Sequence, residues 1–481
     1  MGGYGMRVAV MLALLTVVAS CGDNLEPSPL PLLLDHGGPH MSHPKLVPIF
    51  FADDAGADQM TRFSQWIVTS SWLEAVGAAY GVGSGSVLGV VHRPEGAPDA
   101  ISDAEIVDLL YAGLADRTIP EPSDGLGDVL YMVHLPSHTV VTAGSAMSCV
   151  TFGAYHDSAR RNGVELAYAV VPTCPPFVDD LVGTPNRELA SSHELIEAAT
   201  DPIPSNHPGF QLSDSPNPWL IFGDEVADLC FRSDGRQIWH EAGFVAQRSW
   251  SNAAAAAGED PCVPGASSAP YFNVDVVTRT VLRIPSGGHQ TIELRGWGTG
   301  LEVNASWSLS AMAVGFRPLG LTLGANRIGA GETTTLDVVV PVGTPTETSL
   351  RFYVDSGTDG DRQLPMFAIA GDPCSSFAGC EACTVQYGCG FCAATGRCEA
   401  QSGSASADSS CPGSLATWTG SCSGFCAQHS GSCVDCASQY GCGWCSSGTG
   451  QCLELGHDDD QPATGSCRNA DWSVTPSYCP P

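Results

Sequence analysis

Ser192-His193-Glu194-Leu195-Ile196-Glu197 is the stretch whose reading decides the first domain, because it sets two metal-competent side chains and a candidate base side by side. Thr184 can cap the segment, Pro185 suits the first helical position, and Leu189, Ala190, Leu195, Ile196, Ala198 and Ala199 supply apolar faces. Asp201-Pro202 then ends a helix. At i and i+4, His193 and Glu197 project from one face and can reach a single ion. Glu194, about 100° further round the helix, is placed to take a proton from an attacking water as general base.

The motif is similar to that of the zincin metallopeptidases, which carry histidine where this chain has Glu197. One imidazole and two carboxylates would leave a divalent ion formally neutral, so a nearby water is acidified less than in a histidine-rich site and weak reactivity is expected. A third ligand is needed, and Gly223-Asp224-Glu225-Val226-Ala227-Asp228-Leu229-Cys230 is the best source, with 27 residues between Glu197 and Glu225. This arrangement resembles the gluzincins, in which a second helix supplies a glutamate ligand and a downstream aspartate orients a histidine. The resemblance implies Glu225 as ligand and Asp228 as the orienting residue. His156 is the rival ligand, the alternative for it being a core histidine bonded to backbone, and His134 is a weaker one. The expected cofactor is one divalent metal, zinc first and calcium second. The competing reading makes His193 and Glu197 ordinary surface residues of an amphipathic helix.

Arg7 followed by the apolar run Val8 to Val18 is too short to span a bilayer and fits a secretion leader over residues 1–20. Val18-Ala19-Ser20-Cys21 resembles a bacterial lipobox, which implies acylation of Cys21 and a tether over 21–31. The chain has 21 cysteines; assigning Cys21 to lipid leaves an even number for disulfides in an oxidising compartment. A soluble secreted protein is the alternative. The expected location is the bacterial cell envelope, at the outer membrane or surface. A net charge of -31 argues against nucleic acid and against electrostatic adhesion to anionic lipid, so membrane attachment would rest on the Cys21 anchor alone.

With 481 residues and 43% hydrophobic content, several domains with real cores are expected. Residues 32–265 read as α/β: a strand over Lys45 to Phe51, mostly helix from Ala57 to Tyr80 with Trp66 and Trp72 packing, and a helix from Ser102 to Gly113 with Glu105 at the capping-box position. Val129 to Val133 and Leu166 to Val171 read as apolar strands. Sequence order suggests Cys149 with Cys174 and Cys230 with Cys262, although four cysteines allow three arrangements. Residues 266–372 alternate with period two, as in Glu332 to Val340 and Ser349 to Val354, and read as an all-β immunoglobulin-like sandwich.

Beyond it, Cys380-x2-Cys383-x5-Cys389-x2-Cys392 is repeated as Cys433-x2-Cys436-x5-Cys442-x2-Cys445, 53 residues on. Tyr387-Gly388-Cys389-Gly390-Phe391-Cys392 answers Tyr440-Gly441-Cys442-Gly443-Trp444-Cys445. Residues 373–423 and 424–481 resemble the plexin-semaphorin-integrin cysteine-rich module, with Phe391 where its hallmark has tryptophan. The resemblance implies Cys374 with Cys389, Cys380 with Cys422, Cys383 with Cys398 and Cys392 with Cys411, the second copy following the same order. Zinc held by paired Cys-x2-Cys is the alternative.

The first domain, from Asp35-His36-Gly37-Gly38-Pro39-His40-Met41 through Gly153-Ala154-Tyr155-His156, Val170 to Pro175 and Thr200-Asp201-Pro202 to Glu225–Cys230, is similar to the exordium or phosphate-induced family of secreted proteins. That family has no established catalysis, so two functions stand. One is a surface lipoprotein with a divergent metal-dependent peptidase or other hydrolase domain acting on a protein or peptide. The other is a non-catalytic binding or adhesion protein with a structural metal or none, which meets a surface partner through its modules.

Overall fold

The structure, a computed structural model, describes residues 30–481 except 122–124, 176–183, 213–218, 220–222, 232–236, 266–269, 278–280, 303, 316–317, 358–361 and short stretches of the cysteine-rich region. The stretch expected to be a leader, Cys21 and most of the expected tether lie outside the described residues. The chain is multidomain and mostly β, with several separate sheets, few helices and a disulfide-dense end.

In the first part, Lys45–Phe50, Val129–Leu135 and Val164–Pro172 pair in parallel, and Tyr155–Arg161 closes one edge antiparallel to the last of them. Val129–Leu135 is buried at every residue, as expected of a central parallel strand covered on both faces. Alternation divides its side chains between two cores. Leu130 and Met132 join Met60, Phe63, Trp72, Leu195 and Ile196. Tyr131 and Val133 join Ile106 and Leu110. The helices Ala57–Ile67, Ser71–Gly77 and Thr184–Thr200 thus cover one face of the sheet and Asp103–Asp116 the other. The helix Asp103–Asp116 starts as its sequence demands: Ser102 Oγ accepts from the Glu105 amide, and Glu105 reaches back to the Ser102 amide at 2.8 Å.

Between residues 271 and 370 two sheets of four and five strands form, antiparallel except where Leu282–Ile284 runs parallel to Gln363–Ala370. All four pairings proposed for the first cysteine-rich copy are present, and the second follows with Cys426–Cys442, Cys433–Cys479, Cys436–Cys452 and Cys445–Cys467. No thiolate is left at the Cys-x2-Cys pairs to hold zinc. Cys149–Cys174 and Cys230–Cys262 are also formed. Among the described residues no helix is long and apolar enough to cross a membrane.

Candidate metal centre

The helix Thr184–Thr200 lies on the sheet between the edge strand and the hairpin Ile238–Glu241/Phe244–Gln247. Arg187 in its early turns donates to both carboxylate oxygens of Asp54, at 2.8 and 2.7 Å, and the pair is buried. That pins the helix to the loop before Ala57. From its middle, His193 and Glu197 point together, with His193 Nε2 3.0 Å from Glu197 Oε2.

Glu197 is held from behind. Its Oε1 accepts from the amides of Ala227 and Asp228 at 3.2 and 3.1 Å, which leaves Oε2 for the site. The same contact swings Asp228 toward His193, with Oδ1 at 3.5 Å from Nε2. Ligand atoms arranged tetrahedrally about 2.1 Å from one ion stand about 3.4 Å apart, so His193, Glu197 and Asp228 fit a divalent cation. These three meet as one group, and His156, Glu194 and Glu197 meet as a second. A third group, Asp224, Glu225 and Asp228, continues the cluster outward.

His156 enters from the edge strand. It pairs with Ala169, and side chains directly opposite in a sheet share a face, so it points to the side that the helix covers. Its Nδ1 faces Glu194 at 3.4 Å and Glu197 at 3.8 Å; its Nε2 faces Glu225 at 3.2 Å and the Asp201 carbonyl at 3.1 Å. Both readings of this residue therefore meet, since it is a buried histidine bonded to backbone and also a member of the cluster.

The electrostatics suit a cation. Burial pushes Glu197 up to about 7, with the charges of Asp228 and Glu194 adding to it. Burial, then Glu197 and Asp228, pushes Glu225 up to about 8. Burial alone would lower both histidines, yet Glu225 and Glu194 hold His156, and Glu197 and Asp228 hold His193, well above the ordinary value. So many acidic side chains crowded round two imidazoles must share protons or a metal ion.

Gly223–Cys230 is no helix: among its residues only Asp228–Cys230 make a single 3-10 turn. From this segment Asp228, implied as the orienting residue, lies against His193, and Glu225, implied as a ligand, lies against His156. His134 is not in the cluster; it is buried, stacked on Phe50 with ring centres 4.8 Å apart, and burial holds its pKa well down.

One positioning residue had no marker in the sequence. His193 Nδ1 lies 3.0 Å from Gln247 Oε1, while Gln247 Nε2 donates to the Ala227 carbonyl at 2.7 Å. Gln247 thereby fixes Nδ1 as the protonated nitrogen, turns Nε2 to the site and ties the helix to the acidic loop. Its own amide donates to Ser192 Oγ, and its carbonyl accepts from Trp72 Nε1. Gly223 is a second such residue: at φ +150° a Cβ there would overlap Asp228 Oδ2.

No protein-family model matches the chain, and no curated protein matches it. Among solved structures, domains 4 and 5 of the S-layer protein SbsC are 14% identical, over 22% of this chain and 54% of that one, with a TM-score of 0.17. Domains 4–9 of the same surface layer protein are 16% identical over 22% of this chain and 15% of theirs, TM-score 0.17. Domains 1–6 are 16% identical over 28% and 17%, TM-score 0.18. The chain spans about half of the first of these and about a sixth of the others.

Proposed function

We propose that this chain is an exported bacterial surface lipoprotein whose first domain is a divergent metal-dependent hydrolase, a peptidase. In this reading the domain is zincin-like and shares the exordium framework, Cys21 carries the lipid, and the two cysteine-rich units are modules of the plexin-semaphorin-integrin type. The observation that carries it is the meeting of His193 Nε2, Glu197 Oε2 and Asp228 Oδ1 at the spacing of a shared ion, beside a carboxylate that need not be a ligand, Glu194.

A divalent ion held there, zinc before calcium, would polarise a scissile carbonyl. Glu194 takes the proton of the attacking water. His156, between Glu194 and Glu225, is placed to exchange that proton onward. Gln247 holds His193 in its tautomer throughout.

A second reading, a surface binding protein with a structural ion, draws on one observation: Glu194 is only 4% exposed and already faces His156. Glu194→Gln separates the two, because the amide keeps the shape and cannot accept the proton. Assayed against a peptide library with metal measured in both proteins, the variant should keep its metal and lose hydrolysis by about two to four orders of magnitude. Equal cleavage removes Glu194 as base; no cleavage by wild type under several divalent metals favours the binding protein.

A further inference from the structure

The second cysteine-rich module packs against the domain that carries the metal centre. Asn206, 1% exposed, lies just beyond the end of the site helix. It donates to the Trp472 carbonyl at 3.4 Å and accepts from the Val474 amide at 3.1 Å. Next to this contact is a cavity of about 570 Å³ whose walls come from both units. Gln211, Asp224 and Glu225 line one side, and Ser438, Gln439 and Leu455 the other. Glu225 thus belongs to the cluster around His156 and to this cavity at once.

We infer that this cavity is the substrate cleft of the proposed hydrolase, that the second cysteine-rich module forms its far wall, and that it takes a peptide segment bearing a basic side chain. The inference rests on the hydrolase reading for its chemistry, but the cleft stands on its own geometry. The volume is that of a ligand site, and such sites form preferentially between domains. Among the described residues the lining offers two carboxylates, amide and hydroxyl groups and the branched apolar side chains of Leu455 and Val474, with no lysine or arginine to balance the charge. A polypeptide supplies the complement: backbone donors for Gln211, Gln439 and Ser438, an aliphatic stem for Leu455, and a cation for Asp224. The charge of the whole chain, -31, draws the same class of partner.

The test uses the full chain with Glu194→Gln, loaded with zinc, and two labelled octapeptides that differ only in a central Lys or Glu. The Lys peptide should bind at least about tenfold more tightly, the worth of one well-placed charge. Ser438→Trp, which fills the cleft from the module side, should weaken it by about tenfold or more with zinc content unchanged. Asp224→Asn, on the opposite wall, should level the Lys and Glu peptides and serves also if the tryptophan variant fails to fold. Equal binding of the two peptides by the parent, or no binding of either, overturns the inference. Metal-dependent cleavage by the chain with Glu194 intact, left untouched when Ser438→Trp is added to it, removes the cleft and keeps the hydrolase. Lys-peptide binding lost in Ser438→Trp, from a protein that takes up no metal, keeps the cleft and removes the hydrolase.

Discussion

At the scale of single residues, the cluster depends on groups that hold a candidate ligand by its far side. Gln247 has no ionisable chemistry of its own, yet it decides which imidazole nitrogen of His193 faces the cluster. Gln247→Ala should weaken zinc binding by about 10- to 100-fold, the usual cost of losing such a partner, as read by competition with a chelator. The same affinity in the variant would show that His193 needs no partner. His193, Glu194 and Glu197 are legible in the sequence because helical periodicity alone puts them together. Gln247, and the choice of Asp228 over Glu225 to meet His193, are not. They depend on a hairpin and a loop folded back from far along the chain, and nothing in the local pattern of either announces the contact.

At the scale of elements, the helix Thr184–Thr200 is fixed at its start by the buried pair of Arg187 and Asp54 and along its middle by the loop 223–230. Burial raises the Asp54 carboxyl, but the Arg187 guanidinium outweighs it and leaves the group below its ordinary value. With the folded value depressed, the pair's contribution to stability is present above the unfolded value of about 3.9 and is lost as pH falls through the lower folded value. Asp54→Asn should cost about 3–5 kcal/mol, because it leaves a buried guanidinium without its charge partner; denaturant unfolding at neutral pH, and again near pH 3 where the difference should narrow, measures it. The strand Lys45–Phe50, the capping box at Ser102 and the helical stretch after Ala57 were readable because each depends on neighbours in sequence. The second helix that the gluzincin resemblance implies does not form over Gly223–Cys230, because its amides at Ala227 and Asp228 are spent on the Glu197 side chain and its end is tied by Cys230–Cys262. A side-chain acceptor has replaced the helical carbonyl, and only the folded chain reveals that.

At the scale of the whole molecule, the cysteine pattern carries more than its share. A module of about 50 residues has too little core to stand without cross-links, and here each copy closes its own set of four bridges with none between copies. Cysteine parity then points to Cys21 as the odd one. Cys21→Ser should release the protein from membranes, and unchanged membrane fractionation of that variant would count against the lipid anchor. In the proposed site His193, Glu197 and Asp228 of the intact chain share one divalent ion. Elemental analysis of the purified full-length protein, beside His193→Ala and after equilibration with zinc, tests it most directly. About one equivalent of metal is expected in the wild type, set by a single group of three ligands, and almost none in the variant. A full equivalent retained by folded His193→Ala, or none taken up by the folded wild type, would contradict it.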